Sequence, residues 1–267
     1  MSSAPLTALL PKLVTLARAA SEVVLRVYAG QHVVRRKADA SPVTEADEAA
    51  EEIILAGLRQ LTPDIPAISE EAVGRGDFHF DPDRPPHRYW LVDPVDGTKE
   101  FVNRTGEFTI NIGLAEEGRP VLGVLHAPLL NVTYTAAGPG TAAVRRGDSA
   151  AVPIHARRPP SSGLVVLGSR SHGNKPAVSA YLEDFKVAER RIMGSAIKFA
   201  LIAEGSADLY PRFGPTMEWD TCAGHAILES AGGRVTSLSG ETLRYGKPGF
   251  LNPDFIARGA ADPPDQV

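Results

Sequence analysis

The sequence predicts an α/β protein, and three observations carry that reading. Apolar residues recur at helical spacing over 6–27 and again over 44–61. Short alternating runs separated by turn residues fill 108–145, the pattern of an antiparallel meander. Beyond Gly163, strands and helices alternate, as in an α/β layer.

In chain order, Leu6, Leu9, Leu10, Leu13, Leu16, Ala17, Ala20, Val23, Val24 and Val27 form one stripe of a long amphipathic helix that Gly30 can close. Arg35-Arg36-Lys37 reads as a solvated charge run. Thr44 caps a second helix, with Asp47 three residues on as the capping-box acid and Ile53, Ile54, Leu58 and Leu61 as the buried stripe. Ala67-Ile68-Ser69 is a short strand ending in Glu70-Glu71, and 74–88 reads as a mobile loop. Tyr89 to Val92 is a buried strand that breaks into the turn Asp93-Pro94-Val95-Asp96-Gly97-Thr98, after which a helix can open. Such a turn is by itself an ordinary surface feature, yet it places two carboxylates and the Val95 carbonyl where a hard cation such as Mg2+ would suit them.

Strands follow over 108–114, 121–125, 132–135 and 142–145. The Arg157-Arg158-Pro159-Pro160-Ser161-Ser162-Gly163 segment marks a boundary between a first lobe, 1–157, and a second, 158–267. The second lobe reads as strand 164–167, helix 177–185, strand 187–192, helix 195–204, strand 208–210, helix 221–230 and strand 235–238.

With 267 residues, 43% of them hydrophobic, the chain is long enough for a substantial core. A net charge of −4 carries no basic excess, which argues against duplex nucleic acid as a partner. The single cysteine, Cys222, rules out an internal disulfide and fits a reducing, cytoplasmic setting; it reads as a small core residue. No apolar run reaches the roughly 18 residues of a membrane span.

Three separated patterns gain meaning together: Ser69-Glu70-Glu71, the Asp93 to Thr98 run, and Trp219-Asp220-Thr221-Cys222-Ala223-Gly224 leading to Ala231-Gly232-Gly233. Jointly they resemble the inositol monophosphatase superfamily of magnesium-dependent, lithium-sensitive phosphatases. Within it the chain is most similar to the 3'(2'),5'-bisphosphate nucleotidases of the CysQ type. Ser41-Pro42-Val43-Thr44, Gly106-Glu107-Phe108-Thr109-Ile110-Asn111, Ser169-Arg170-Ser171-His172 and Leu209-Tyr210-Pro211-Arg212-Phe213-Gly214-Pro215-Thr216 carry that narrower likeness.

The resemblance implies a layered α/β/α/β/α sandwich and an all-oxygen metal site. Four carboxylates brought together at about 4 Å and an effective dielectric near 20 repel by on the order of 4 kcal/mol per pair, so they bind cations or take up protons. By resemblance, Glu70, Asp93 and the Val95 carbonyl hold one Mg2+, while Asp93, Asp96 and Asp220 hold a second. A third, weaker ion falls on Glu70. Water is then the nucleophile, deprotonated with help from Thr98, whose hydroxyl pairs with Asp47. Gly97 and Thr98 receive phosphate oxygens at a helix start. Ser169 and His172 lie near a nucleotide, with Gly194, Ser195 and Lys198 around its second phosphate or base. The Asp93 and Asp96 spacing departs from the Asp-x-Asp pair of haloacid-dehalogenase phosphatases.

The implied activity is removal of the 3'-phosphate of adenosine 3',5'-bisphosphate, a by-product of sulfate activation. The alternatives are an inositol monophosphatase or a fructose-1,6-bisphosphatase with the same metal ligands, and a non-catalytic phosphometabolite sensor. A sensor would be expected to have lost Asp47, Thr98 or a ligand, and this chain keeps them all. A homodimer, and peripheral association with the inner face of the cell membrane, are left open by the sequence.

Overall fold

Two amphipathic helices, α1 (Leu10–Ala29) and α2 (Glu45–Leu61), flank a two-stranded ribbon of β1 (Val34–Arg36) and β2 (Pro42–Thr44). The computed structural model describes residues 5–30, 34–36, 42–77, 86–170 and 175–260. A 3-10 turn at Leu6–Leu9 leads into α1, so the first turn of the expected helix is tighter than α. Thr44 caps α2 as its sequence predicts: its backbone N–H and its hydroxyl donate to Asp47 Oδ2 at 2.8 and 2.7 Å, and Ala46 N–H donates to the hydroxyl.

A seven-stranded sheet follows, built from β3 (Ala67–Ser69), β4 (Arg88–Asp96), β5 (Thr109–Glu116), β6 (Arg119–Ala127), β7 (Val132–Ala136), β8 (Ala143–Arg146) and β9 (Val152–Pro153) in that spatial order. All its pairings are antiparallel except β3 with β4, which bears out the meander. Helix α3 (Glu70–Arg75) sits where the sequence suggested only a strand end and the start of a loop; 78–85 of that loop lie outside the described residues. Helix α4 (Thr98–Val102) is a single short turn after β4.

The expected strand break at Val92 does not occur. β4 continues through Pro94 to Asp96 by taking in one extra residue: Asp93 pairs with Asn111 and Asp96 with Thr109, three steps on one strand against two on the other. Pro94, which has no N–H to give a ladder, is tolerated at such a bulge. Without the bulge, the period of two would send residues 93 and 96 to opposite faces of the sheet. With it, both face the side of their partners 109 and 111, which share one face.

The second sheet has five strands in the order β11 (Val187–Met193), β10 (Leu164–Ser169), β12 (Leu209–Arg212), β14 (Phe255–Arg258), β13 (Arg234–Ser237). Its helices are α5 (Lys175–Tyr181), α6 (Ile197–Ala203) and α7 (Glu218–Ser230). α5 is shorter than the expected 177–185 helix, and α7 starts one turn before Thr221. β14 was not anticipated; it pairs antiparallel with both β12 and β13 and closes the sheet.

Three of the four core clusters among the described residues define five layers. One packs α1 and α2 on the seven-stranded sheet through Leu13, Ala17, Ile54, Leu58, Trp90, Ile110 and Val124. A second fills the space between the sheets, where Leu125 and Tyr134 meet Phe199 and Ile227 of the middle helices and Phe255 of the five-stranded sheet. The third sets α5 on the outer face of that sheet through Val166, Leu209 and Ile256. The order is therefore α/β/α/β/α, the sandwich the sequence led us to expect.

Helix α7 lies directly on the larger sheet because two glycines leave it room. A Cβ at Gly123 would stand 2.2 Å from the Ala223 carbonyl oxygen, and one at Gly113 would stand 2.7 Å from Cys222 Sγ. Close backbone approach, rather than turn geometry, explains these glycines.

Candidate metal and phosphate site

The bulged end of β4, the starts of α3, α4, α6 and α7, and the last residues of β10 and β12 surround one cavity of about 680 Å3. Of the thirteen residues expected from sequence, all line it except Asp47, which stands one hydrogen bond behind, and His172, which lies outside the described residues.

Each carboxylate has a distinct structural origin. Asp93 comes from the bulge and is buried, with its Oδ1 accepting from Val95 N–H at 3.1 Å. Glu70 is the first residue of α3, whose start is anchored by Glu51: Glu51 Oε1 accepts from the Ser69 hydroxyl and from Ala72 N–H (2.9 Å), and its Oε2 pairs with Arg75 at 2.6 Å. Asp220 is the third residue of α7 and its Oδ2 accepts from Met217 N–H at 2.9 Å. One oxygen each from Glu70, Asp93 and Asp220 lie within 4.8 Å of one another.

Asp96 lines the same cavity but stands outside that triad. Its Oδ2 accepts from Ala196 N–H, from Asn111 Nδ2 at 3.2 Å and from Thr109 Oγ1 at 3.5 Å, which ties the end of β4 to the start of α6. Burial raises its pKa to about 6, opposed by the Lys198 cation and by the Ala196 and Asn111 donors, while Glu70 adds to the rise. Asp220 is raised well above the carboxylate range by burial first, then by Asp96 and Glu70. Buried acids that push each other toward protonation are relieved by a cation.

Thr98 Oγ1 lies 3.2 Å from Asp47 Oδ1 and 3.2 Å from the Val95 carbonyl oxygen. The cap of α2 is thereby linked to the first residue of α4. α4 itself is held by an aromatic trio, with Phe101 5.1 Å from Tyr28 and 5.1 Å from Phe108 between ring centroids.

On the opposite wall, Lys198 is only 3% exposed. Its ammonium donates to the Ser195 and Met193 carbonyls and sits 5.0 Å from the Tyr210 ring centroid. Desolvation lowers its pKa to about 8, partly offset by Asp96. Ser195 carries a left-handed backbone with φ of 50°, which turns its carbonyl to that ammonium.

Several residues escaped sequence reasoning. Glu107 accepts from Gly194 N–H at 2.7 Å and from both Arg170 Nη2 (2.7 Å) and Nε (3.1 Å), joining three loops at the cavity rim. Arg212, fixed by Thr216 Oγ1 and the Pro215 carbonyl, adds a second buried cation to the wall. Glu107, Arg170, Arg212 and Thr216 lay inside runs quoted for the family likeness, but nothing local in their spacing signalled a pairing. Among the described residues, no helix is long and apolar enough to cross a membrane.

Comparison with known proteins agrees with this geometry. Residues 6–262 match the inositol monophosphatase family. The chain is 47% identical over 252 residues to the 3'(2'),5'-bisphosphate nucleotidase CysQ of Salmonella typhimurium, covering 92% of this chain and 98% of that protein. It is 45% identical to the protein of the same name from Escherichia coli K12, with the same coverage. The crystal structure of CysQ from Bacteroides thetaiotaomicron superposes with a TM-score of 0.78 at 35% identity, covering 94% of this chain and 97% of that one. The match of nearly the whole chain, together with the layered fold and the acidic cavity, leads to one conclusion: this chain belongs to the inositol monophosphatase family.

Proposed function

We propose that the chain is a Mg2+-dependent 3'(2'),5'-bisphosphate nucleotidase that converts adenosine 3',5'-bisphosphate to AMP and phosphate, and so removes a by-product of sulfate assimilation. The observation that carries this reading is one cavity in which the Glu70, Asp93 and Asp220 oxygens face a wall bearing Ser169, Gly194, Ser195 and Lys198. The near full-length likeness to two proteins named as that nucleotidase supports the substrate.

The donor set fits a hard divalent cation. It is all oxygen, without histidine or thiolate, and its buried acids repel one another. Glu70, Asp93 and the Val95 carbonyl would hold one ion, Asp93, Asp96 and Asp220 a second, and Glu70 a third, weaker one. Bound cations supply Lewis-acid polarisation of the phosphoryl group and acidify water.

The remaining work falls to the chain's own groups. The Thr98 hydroxyl has one proton for two acceptors, Asp47 Oδ1 and the Val95 carbonyl. When that proton goes to Asp47, the Thr98 oxygen presents its lone pairs to the cavity and can take a hydrogen bond from the attacking water, aligning it and drawing off its proton. Gly97 and Thr98 support the scissile phosphate. Lys198, with Ser195 and Gly194, receives the second phosphate, and Ser169 lies toward the nucleoside; the family likeness gives His172 the same role. A buried ammonium without water competing for it discriminates a doubly phosphorylated ligand from a singly phosphorylated one.

A phosphate-release panel tests the reading. Purified protein with Mg2+ should hydrolyse adenosine 3',5'-bisphosphate in preference to inositol monophosphate and fructose 1,6-bisphosphate, and EDTA should stop it. Asp93→Asn should abolish release with an unchanged circular dichroism spectrum. Preference for an inositol or sugar phosphate, or turnover in EDTA, would overturn it.

A further inference from the structure

On the far side of the five-stranded sheet from the catalytic cavity, we propose a second anion site, one for a small tetrahedral oxyanion such as sulfate or the terminal group of a sulfate or phosphate ester. The alternation of β14 separates the two sites: Phe255 lines the catalytic cavity, while Ile256 and Arg258 line a separate hollow of about 210 Å3 on the outer face. Tyr181 at the end of α5, Arg234, Thr236 and Ser237 of β13, and the Ser237–Gly240 turn complete it.

The charge arrangement in that hollow is unusual for a sheet surface. Arg234 and Arg258 are direct cross-strand partners, two like charges placed opposite each other, a pairing that destabilises a sheet. Neither guanidinium has a carboxylate partner among the described residues. Arg258 Nη2 donates to the Tyr181 hydroxyl at 2.5 Å, but its Nε is shielded from solvent and has no hydrogen-bond partner. A guanidinium with one nitrogen shielded in this way is stabilised by negative charge brought beside it, which an anion in the hollow supplies without touching Nε.

Around the two cations stand hydroxyls that can serve an oxyanion. Tyr181, having accepted from Arg258, keeps its own proton to donate, and the Ser237 hydroxyl is 2.7 Å from that of Ser239 at the rim. Two guanidiniums and neutral hydroxyls, with no acid among the lining residues, select for negative charge. The volume lies below the roughly 300 Å3 at which pockets for drug-sized ligands begin, so a bisphosphate nucleotide is excluded and a compact oxyanion is not. This inference rests on no feature of the catalytic cavity.

The test is an amide NMR titration of the full chain with sodium sulfate, sodium chloride holding the ionic strength constant. Thr236, Ser237, Leu238 and Gly240 should shift saturably. Arg234→Gln, a change at an exposed position that leaves the core intact, should weaken that binding by about tenfold or more, the loss expected for one charge-assisted contact, and Arg234→Lys should restore part of it. A parallel titration with methyl sulfate distinguishes a site for the bare ion from one that also admits an ester; saturation by either supports the proposal. Shifts that rise without saturating, or that are the same in Arg234→Gln, would mean an adventitious ion only and overturn it. So would saturable shifts confined to residues around Lys198.

Discussion

Asp47 uses its two carboxylate oxygens for two different tasks: Oδ2 accepts from the Thr44 N–H and hydroxyl that cap α2, and Oδ1 faces the Thr98 hydroxyl at 3.2 Å. The two tasks are separable by mutation. Thr98→Val keeps the shape and removes only the hydroxyl, so turnover should fall by roughly 10²-fold, the low end for a proton-transfer group, with no change in Tm. Asp47→Ala should lose the same activity and in addition about 1 kcal/mol of stability from the cap. Phosphate release and thermal melts on both variants check the split; an Asp47→Ala protein that melts like the parent would remove the capping part.

Glu51 touches no part of the cavity, yet it anchors the α3 start from which Glu70 projects. Glu51→Gln should therefore act through the cation. The expected result is an activation constant for Mg2+ raised 10- to 100-fold, the usual cost of losing a supporting partner behind a ligand, with turnover at saturating Mg2+ close to the parent's. A Mg2+ titration of activity, backed by calorimetric Mg2+ binding, decides it.

Lys198 should discriminate between substrates rather than drive the chemistry. Lys198→Met keeps the volume of the side chain and removes the charge, and KM for adenosine 3',5'-bisphosphate should rise by about tenfold or more, as expected for a lost charge-assisted hydrogen bond. The KM for inositol monophosphate should change much less. Equal losses on both substrates would move Lys198 out of the second-phosphate role.

His126 predicts an acid-sensitive stability. Burial and then the Arg18 charge lower its pKa to about 4, and it sits 2.8 Å from Thr133 Oγ1. In the unfolded chain it titrates near 6.5, so below that pH the unfolded state binds the proton first. Stability is therefore lost as pH falls from about 6.5 to about 4, reaching on the order of 3 kcal/mol at the low end. Urea unfolding at pH 7 and pH 5 should show a drop in midpoint that is smaller in His126→Asn.

Much of the fold could be read in the chain because helical periodicity and turn residues are local signals. The α2 cap, the meander and the alternation beyond Gly163 all rest on residues a few positions apart. The Asp93 to Thr98 run was legible as chemistry but not as conformation. Pro94 and Gly97 read as a turn, and only the pairing with Asn111 and Thr109 shows that the strand absorbs them as a bulge. β14 escaped because a four-residue strand acquires its identity from two neighbours far away in sequence. In the same way, Glu107 reaches Arg170 across 63 positions, and Glu51 reaches Ser69 across 18; no spacing rule in one chain connects such pairs. The start of α7 at Glu218 turned Asp220 into a helix-capping acid, a role its neighbours alone did not show.

The contact of α7 with Gly113 and Gly123 also fixes the tolerance of the acidic centre. Because the Ala223 carbonyl rests against bare backbone at Gly123, the helix has no side chain to act as a cushion, and its height above the sheet is set by van der Waals radii alone. Asp220 is carried three residues away on the same rigid rod. A single methyl group at position 123 would lift that rod and be felt, far from any substrate, as a slackened grip on the ion, so the sheet serves the centre as a gauge block as much as a scaffold.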